Sequence, residues 1–410
     1  MKMAHLTNKP NRNTSGRYSG LRVGIVVPHI FMQQSILPHV IFAPGQLAID
    51  LAEGLTELGV DITLFTPGAV ETRVKNITAD LSYFKSELKY RGDSYIDLLK
   101  KHPMTFISLA RQVQSELIAK AYSLANAGEL DIVHIYTNEE DIALPFAQFC
   151  YKPVVFTHHD PFNLLVKYKN VFPKYRSLNW ISISFAQREE MPPDTNWVGN
   201  VYHGLQERLF QPNYNPSVNY IAYMGRIIEP KGLHLAIQAV QYYNASHNHS
   251  YTLKIAGKHY AGHHKDIYWQ QHIAPCLADH NIEYVGFISD IKQKQLFLSS
   301  ATALIIPSIF AEPFGMVAIE ALACATPVIC LDSGALPEII NNKIDGIVIK
   351  KPFADRKLDT DKVVNKLASA IEQISIIDRK TCRKTFVSRF TAKRMCEEYE
   401  SIYKRILQNN

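Results

Sequence analysis

The densest run of candidate chemistry is Ser308-Ile-Phe-Ala-Glu312-Pro-Phe314-Gly315-Met316-Val317-Ala-Ile-Glu320. Its pattern predicts a strand ending at Pro307, a loop carrying Glu312, and a helix opening at Gly315. A helix N-terminus offers free backbone amides and the positive end of its dipole. The amides of Gly315, Met316 and Val317 therefore suit a phosphate, and a residue without Cβ lets a ligand approach the backbone. Glu320, more than one turn along, can accept hydrogen bonds from a diol beside that anion. Glu312, before the helix, reaches another part of the ligand. An anion site between two carboxylates suits a nucleotide sugar, with diphosphate in the middle, ribose on one side and hexose on the other. An arbitrary glutamate pair at this separation is more often a solvated pair beside a capped helix; the Pro-Phe-Gly between them favours a site.

A second run, Gly225-Arg226-Ile-Ile-Glu-Pro-Lys231-Gly232, also follows a strand and opens a helix. Arg226 and Lys231 project from a loop at the carboxyl end of a sheet, where open α/β folds bind ligands. A guanidinium fork and an ammonium point charge together suit a diphosphate. Alone, such cations would be read as solvated. Beside an anion-binding helix in the same domain they gain weight.

Positioning these loops requires strands interleaved with helices, and the chain shows that alternation twice. In the first half, strands are predicted at Arg22–Val27, Val60–Phe65, Asp131–Ile135, Pro153–Thr157 and Trp180–Ser184. Helices are expected at Gln46–Leu58, Thr105–Asn126 and near Asp141–Phe149, with a long loop before Gln46 and an irregular polar stretch over Thr66–Pro103. The second half repeats the pattern, with strands at Tyr220–Met224, Leu253–Ala256, Glu283–Val285, Ala303–Ile306 and Pro327–Cys330. Its helices are Leu233–Tyr243, Lys292–Ser299 and Met316–Cys324. This implies α/β architecture, two Rossmann-like domains with parallel sheets covered on both faces. The expected division is a disordered tail at 1–20, a first domain at 21–198, a second at 199–377, and a C-terminal helix at 378–410. One apolar stripe, Phe386, Phe390, Met395, Tyr399, Ile402 and Ile406, marks that helix as core packing.

Gly225-Arg226…Lys231-Gly232, followed by Glu312-Pro-Phe-Gly…Glu320-Ala-Leu-Ala-Cys-Ala-Thr-Pro-Val, resembles the retaining GT-B glycosyltransferases of family 4. Glu312 and Glu320 match that family's paired-glutamate motif. Val201-Tyr-His-Gly204 is similar to its interdomain segment, and Arg389-Phe390 with Tyr399 to its closing C-terminal helix. Asp131-Ile-Val-His134 and Thr157-His-His159-Asp-Pro161 resemble first-domain positions facing the cleft.

The resemblance implies two domains facing across a cleft, with the last helix returning to the first domain. It implies transfer of a sugar from a nucleotide-diphosphate sugar to a glycan, lipid or small-molecule acceptor, with retention. Arg226 and Lys231 would hold the diphosphate and Glu320 the ribose. Glu312 would contact donor-sugar hydroxyls, and Phe314, Gly315, Met316 and Val317 would complete the donor site. His159 would sit by the reacting centre, with Gly45 and Gln46 on the acceptor side. Acceptor specificity would reside in the first domain, especially Thr66–Pro103. The sequence departs from the family at three points: Ala43-Pro44-Gly45-Gln46 in the first loop, Ala325 where glycine is usual, and His203 where asparagine is usual. A GT-B phosphorylase or synthase would use many of the same residues. A non-catalytic binding protein would be expected to have lost one of the four charged residues, and all four are present.

No metal and no cofactor are expected. Neither His259, His263 and His264 nor His247 and His249 have partners at metal-ligand spacing. Asp359-Thr-Asp361 has the letters of a metal-binding pair but reads as a helix start, with Thr360 or Asp361 as N-cap. Net charge +6 over 410 residues does not argue for nucleic acid. The six cysteines lack metal or disulfide spacing, so a reduced, cytoplasmic setting is expected. Lys100-Lys101-His102 before an amphipathic helix allows peripheral contact with an inner membrane face, although a solvated helix start is the simpler reading.

Overall fold

The computed structural model describes residues 20–36, 42–136, 140–259, 266–354 and 357–409. The tail expected at 1–20 lies outside these residues except for Gly20, and so do His263 and His264.

Short apolar strands such as Val23–Val26 are buried from both sides, as a parallel sheet covered on both faces requires. The first sheet comprises β1 (Arg22–Val26), β2 (Asp61–Thr66), β3 (Lys75–Thr78), β4 (Ile132–Tyr136), β5 (Val154–Thr157), β6 (Asn179–Ser182) and β7 (Trp197–Asn200). All neighbours are parallel, in the order β3-β2-β1-β4-β5-β6-β7. Its helices are α1 (Ala43–Glu57), α2 (Ser82–Arg91), α3 (Tyr95–Lys101), α4 (Pro103–Asn126), α5 (Val166–Val171) and α6 (Phe185–Arg188).

The second sheet comprises β8 (Tyr220–Met224), β9 (Thr252–Ala256), β10 (Ile282–Gly286), β11 (Ala303–Ile306), β12 (Val328–Leu331) and β13 (Gly346–Ile349). It is parallel in the order β10-β9-β8-β11-β12-β13. Its helices are α7 (Leu233–Ser246), α8 (Ile291–Ser299), α9 (Met316–Ala323), α10 (Leu336–Ile339), α11 (Thr360–Gln373) and α12 (Arg379–Arg389), and α13 (Ala392–Asn409) follows. Strand order reverses beside β1 and β8, so each domain has a crevice at the carboxyl ends of β1/β4 or β8/β11.

Several sequence expectations are corrected. Ala43–Gln46 is not loop but the first turn of α1, where Pro44 needs no donor and its fixed φ suits the helix. Thr66–Pro103 is not irregular: it holds β3, α2 and α3, and α3 opens with a capping box between Ser94 and Asp97. Asp141–Phe149 forms 3₁₀ turns rather than an α-helix. The unanticipated β7 carries the first sheet past the expected boundary at 198.

The single C-terminal stripe is also divided. The helix breaks between α12 and α13, with Phe390 at φ −133°. Phe386 and Phe390 pack into the second domain, whereas Met395, Tyr399, Ile402, Tyr403 and Ile406 are buried against the first. Burial of one such apolar side chain contributes about 1.5–3 kcal/mol, so α13 is strongly tied to the domain it returns to.

The two chain crossings run side by side. Leu205 N–H donates to Phe390 O at 2.9 Å, and Ala392 N–H to Leu205 O at 2.8 Å. A Cβ on Gly204 would meet Thr391 O at 2.3 Å, so only glycine permits this approach.

Candidate active site

Arg226 and Glu312 lie far apart in sequence, but β8 and β11 are hydrogen-bonded neighbours, so their loops meet at one end of the sheet. Gly232 closes the first loop at φ +69°, and a Cβ there would meet Pro307 O at 2.1 Å. Pro230 O accepts from the N–H groups of Ile309 and Phe310 at 2.9 and 3.2 Å, which fixes one loop on the other. Gly334, at φ +58°, packs so closely that a Cβ would meet Glu312 O at 2.2 Å, and Ala335 N–H donates to that oxygen at 2.9 Å.

This scaffold seats Lys231 Nζ 2.7 and 2.8 Å from the two carboxylate oxygens of Glu312. A second ion pair, absent from the sequence reading, joins Lys294 Nζ to Glu320 Oε1 at 2.9 Å. The Glu320 carboxylate raises the Lys294 pKa against the opposing effect of burial. Lys294 comes from α8, outside the recognised motifs, and only the packing of α8 on α9 brings it to Glu320. Arg226 is exposed and has no ion-pair partner among the described residues.

These groups line a cavity of about 790 Å³. The second domain contributes Arg226, Lys231, Lys294, Glu312, Gly315, Met316, Val317 and Glu320 to its wall. The first domain contributes Phe42, Gln46, Asp50 and Glu71, with Gln206 from the connecting segment. Gly315 caps α9 at φ +113°, and a Cβ would meet Leu336 Cδ2 at 2.9 Å. Backbone conformation and packing thus explain this glycine before any ligand is considered.

Three expected site residues do not reach that wall. Phe314 is buried, with its ring against His203 at 4.7 Å and Phe390 at 6.3 Å. Gly45 is buried in the first turn of α1, between the wall residues Ala43 and Gln46. His159 is buried, stacked on His203 at 5.2 Å and edge-on to Tyr136 at 4.3 Å. Neither of its ring nitrogens has a hydrogen-bond partner among the described residues. Burial pushes its pKa well below the usual histidine range and that of His203 down to about 3, so both rings are neutral near pH 7.

The other expected cleft positions are also structural. Asp131 pairs with Arg22 at 2.7 Å. His134 is fully buried beneath α13, with Nδ1 2.7 Å from Tyr403 Oη and Nε2 2.8 Å from Thr157 Oγ1. His158 packs among Phe162, Tyr168 and Phe172. Asp359, not Thr360 or Asp361, caps α11: it accepts from Lys362 N–H at 3.1 Å and does not line the cavity. Lys101 is exposed and paired with Asp93 at 2.6 Å. Among the described residues no group of three or more His, Cys, Asp or Glu is placed to hold a metal ion. No described helix is long and apolar enough to cross a membrane.

The domains are also latched beside the motif. Ser184 Oγ donates to Pro313 O at 2.8 Å. Glu338 of the second domain accepts from Phe185 N–H of the first at 2.8 Å and from Tyr202 Oη–H of the connecting segment at 2.9 Å.

With this geometry in place, comparison with known proteins is informative. HepE of Anabaena, solved with UDP and glucose, superposes with a TM-score of 0.62 over 95% of this chain and 99% of that one, at 16% identity. Sucrose-phosphate synthase from Thermosynechococcus elongatus superposes with a TM-score of 0.70 over 95% of this chain and all of that one, at 17% identity. The fold is that of the GT-B glycosyltransferases. Residues 206–372 match the family described as glycosyl transferases group 1. An uncharacterized glycosyltransferase of Methanocaldococcus jannaschii is 30% identical over 193 residues, 42% of this chain and 47% of that protein. The chain thus spans about half the length of the curated relatives it matches. The matched stretch includes Arg226, Lys231, Lys294, Glu312 and Glu320, the charged GT-B wall just described.

Proposed function

We propose that this chain is a retaining, family 4 glycosyltransferase that uses a nucleotide-diphosphate sugar and needs no metal. The observation that carries this reading is the pair of lysine–glutamate contacts, Lys231–Glu312 and Lys294–Glu320, facing one cavity beside Arg226 and the α9 N-terminus. Cations, the α9 N-terminus and two carboxylates share one cavity, so an anion and sugar hydroxyls can be held there together. The group 1 match over this region and the UDP-bound HepE neighbour support a nucleotide sugar as donor.

As the glycosidic bond breaks, negative charge grows on the departing diphosphate. Arg226, Lys231 and the Gly315–Val317 amides oppose that charge more strongly in the transition state than in the ground state. Preorganisation reduces the cost, because the tight glycine contacts already fix both loops. Attack by the acceptor on the face the diphosphate leaves gives retention and requires no enzyme nucleophile. Positive potential from the protein does the work a divalent metal would do elsewhere.

A thermal-shift screen of nucleotide sugars tests the donor assignment, since a ligand that binds only the folded chain raises the melting temperature with its saturation. A nucleotide-diphosphate sugar should shift it, and the resulting transfer should persist in excess EDTA with the product anomer matching the donor. Absence of any shift across the common bases overturns the reading; loss of turnover in EDTA with rescue by Mn²⁺ overturns the metal-free mechanism.

A further inference from the structure

Across the cavity from the lysines stands a carboxylate that no motif marks. Asp50, on α1, lines the cavity and is 6% exposed. Its Oδ1 accepts two amide hydrogen bonds, from Gln46 Nε2 at 2.9 Å and Gln206 Nε2 at 2.6 Å. The anchors come from α1 and from the segment joining the domains, so the side chain is held from two directions. Its Oδ2 has no hydrogen-bond partner among the described residues.

That oxygen is not sealed off by protein, so it opens onto the cavity, where a ligand hydrogen can complete it. Among the described residues the first domain's charged groups on the cavity are Asp50, Glu53 and Glu71, and no lysine or arginine of that domain lines it. Glu53 is matched by Arg73 at 3.3 Å, and Arg208, whose Nε donates to Gln206 Oε1 at 3.0 Å, is a cation near Asp50 that does not line the cavity. The donor wall carries the opposite arrangement, with Arg226, Lys231 and Lys294.

We infer that Asp50 is a specificity-determining residue for the acceptor: its free oxygen takes a hydroxyl or ammonium hydrogen of a neutral or amino sugar and turns away phosphorylated acceptors. Gln46 and Gln206 are positioning residues that act through it. The inference rests on the glycosyltransferase reading and assigns the acceptor class that reading leaves open. A hydroxyl satisfies the bare oxygen, an ammonium also neutralises its charge, and a phosphate adds like charge on a wall that no first-domain lysine or arginine lines.

The test uses the full chain and saturation-transfer NMR with glucosamine, glucose and glucose 6-phosphate. Excess pyrophosphate is present throughout to occupy the donor cations. Wild type should bind glucosamine and glucose at least about 10-fold more tightly than glucose 6-phosphate, the scale of a like-charge penalty at close range. Asp50→Asn, nearly isosteric, should cut that ratio to within about threefold, and Gln206→Leu should reduce it by an intermediate amount. A merely structural role for Asp50 would lower the melting temperature without changing the ratio. Equal binding of the three sugars by wild type, no binding of any, or a ratio that survives in both variants overturns the inference. UDP calorimetry is run separately: failure to bind UDP counts against the donor reading, while the sugar ratio judges Asp50 independently.

Discussion

The two walls of the cavity solve opposite electrostatic problems. On the second-domain wall each motif glutamate already touches an ammonium, Lys231 on Glu312 and Lys294 on Glu320, and glycines in left-handed backbone hold the loops. On the first-domain wall a carboxylate is held by neutral amides and keeps one oxygen open. On the proposed function, the difference suits each wall to a different partner. A diphosphate needs fixed positive charge, and paired carboxylates would keep those cations in place until it arrives. An acceptor hydroxyl needs only an acceptor atom in the right position, and amide donors can position one without cancelling its charge.

The largest effect expected from breaking the asymmetry is on the donor wall. Lys231→Ala and Arg226→Ala should each lower turnover by roughly 100- to 1,000-fold, the scale for removing one preorganised charge stabiliser. Circular dichroism should remain native, because Arg226 is exposed and Lys231 sits on a loop already fixed by its backbone. Steady-state kinetics with near-normal turnover in both variants would contradict the assignment of that wall to the diphosphate.

A smaller effect separates the two glutamates. Glu320→Gln should weaken bare nucleoside diphosphate and intact donor alike, by roughly 10- to 100-fold, as expected for a lost hydrogen bond to a charged group. Glu312→Gln should weaken the intact donor more than the bare nucleotide. Each variant also releases a lysine from its partner, so calorimetry with both ligands is needed. Equal losses for both ligands in both variants would dissolve the division of the donor wall into ribose and hexose sides.

The smallest effect concerns the far end of α9. Ala325 has φ +63°, Thr326 N–H donates to Ala321 O at 2.8 Å, and Ala325 N–H donates to Leu322 O at 3.0 Å. That pair of bonds is a Schellman motif, whose left-handed position favours glycine. Alanine there is strained by about 1–2 kcal/mol, partly offset by the greater freedom glycine has when unfolded. Ala325→Gly should therefore raise stability by about 1 kcal/mol in urea unfolding, with donor affinity unchanged. A destabilised variant would show that the local strain is compensated elsewhere.

Legibility in the sequence followed the same division. Motif residues on the donor wall could be read because each lies at a strand end and within a few positions of the glycines that shape it. The acceptor wall was harder. Family likeness names Gln46 as an acceptor-side contact, and it does line the cavity, but that its amide also holds Asp50 follows from no motif. Likeness puts His159 by the reacting centre, whereas its ring stacks on His203 beneath the wall.

By itself the sequence determined the alternation of strands and helices, the two parallel sheets, and the Arg226, Lys231, Glu312 and Glu320 set, because apolar periodicity and strand-end loops are local properties. Tertiary structure decided what depends on strand order and on contacts between distant segments. It joined β8 to β11, and so Lys231 to Glu312, and it brought Lys294 to Glu320 from α8. It divided the last apolar stripe between two cores and set Gln206 against Asp50. The physical reason is that an ion pair or an amide clamp depends on distances between side chains, and spacing along the chain fixes those distances only within a single helix, strand or turn.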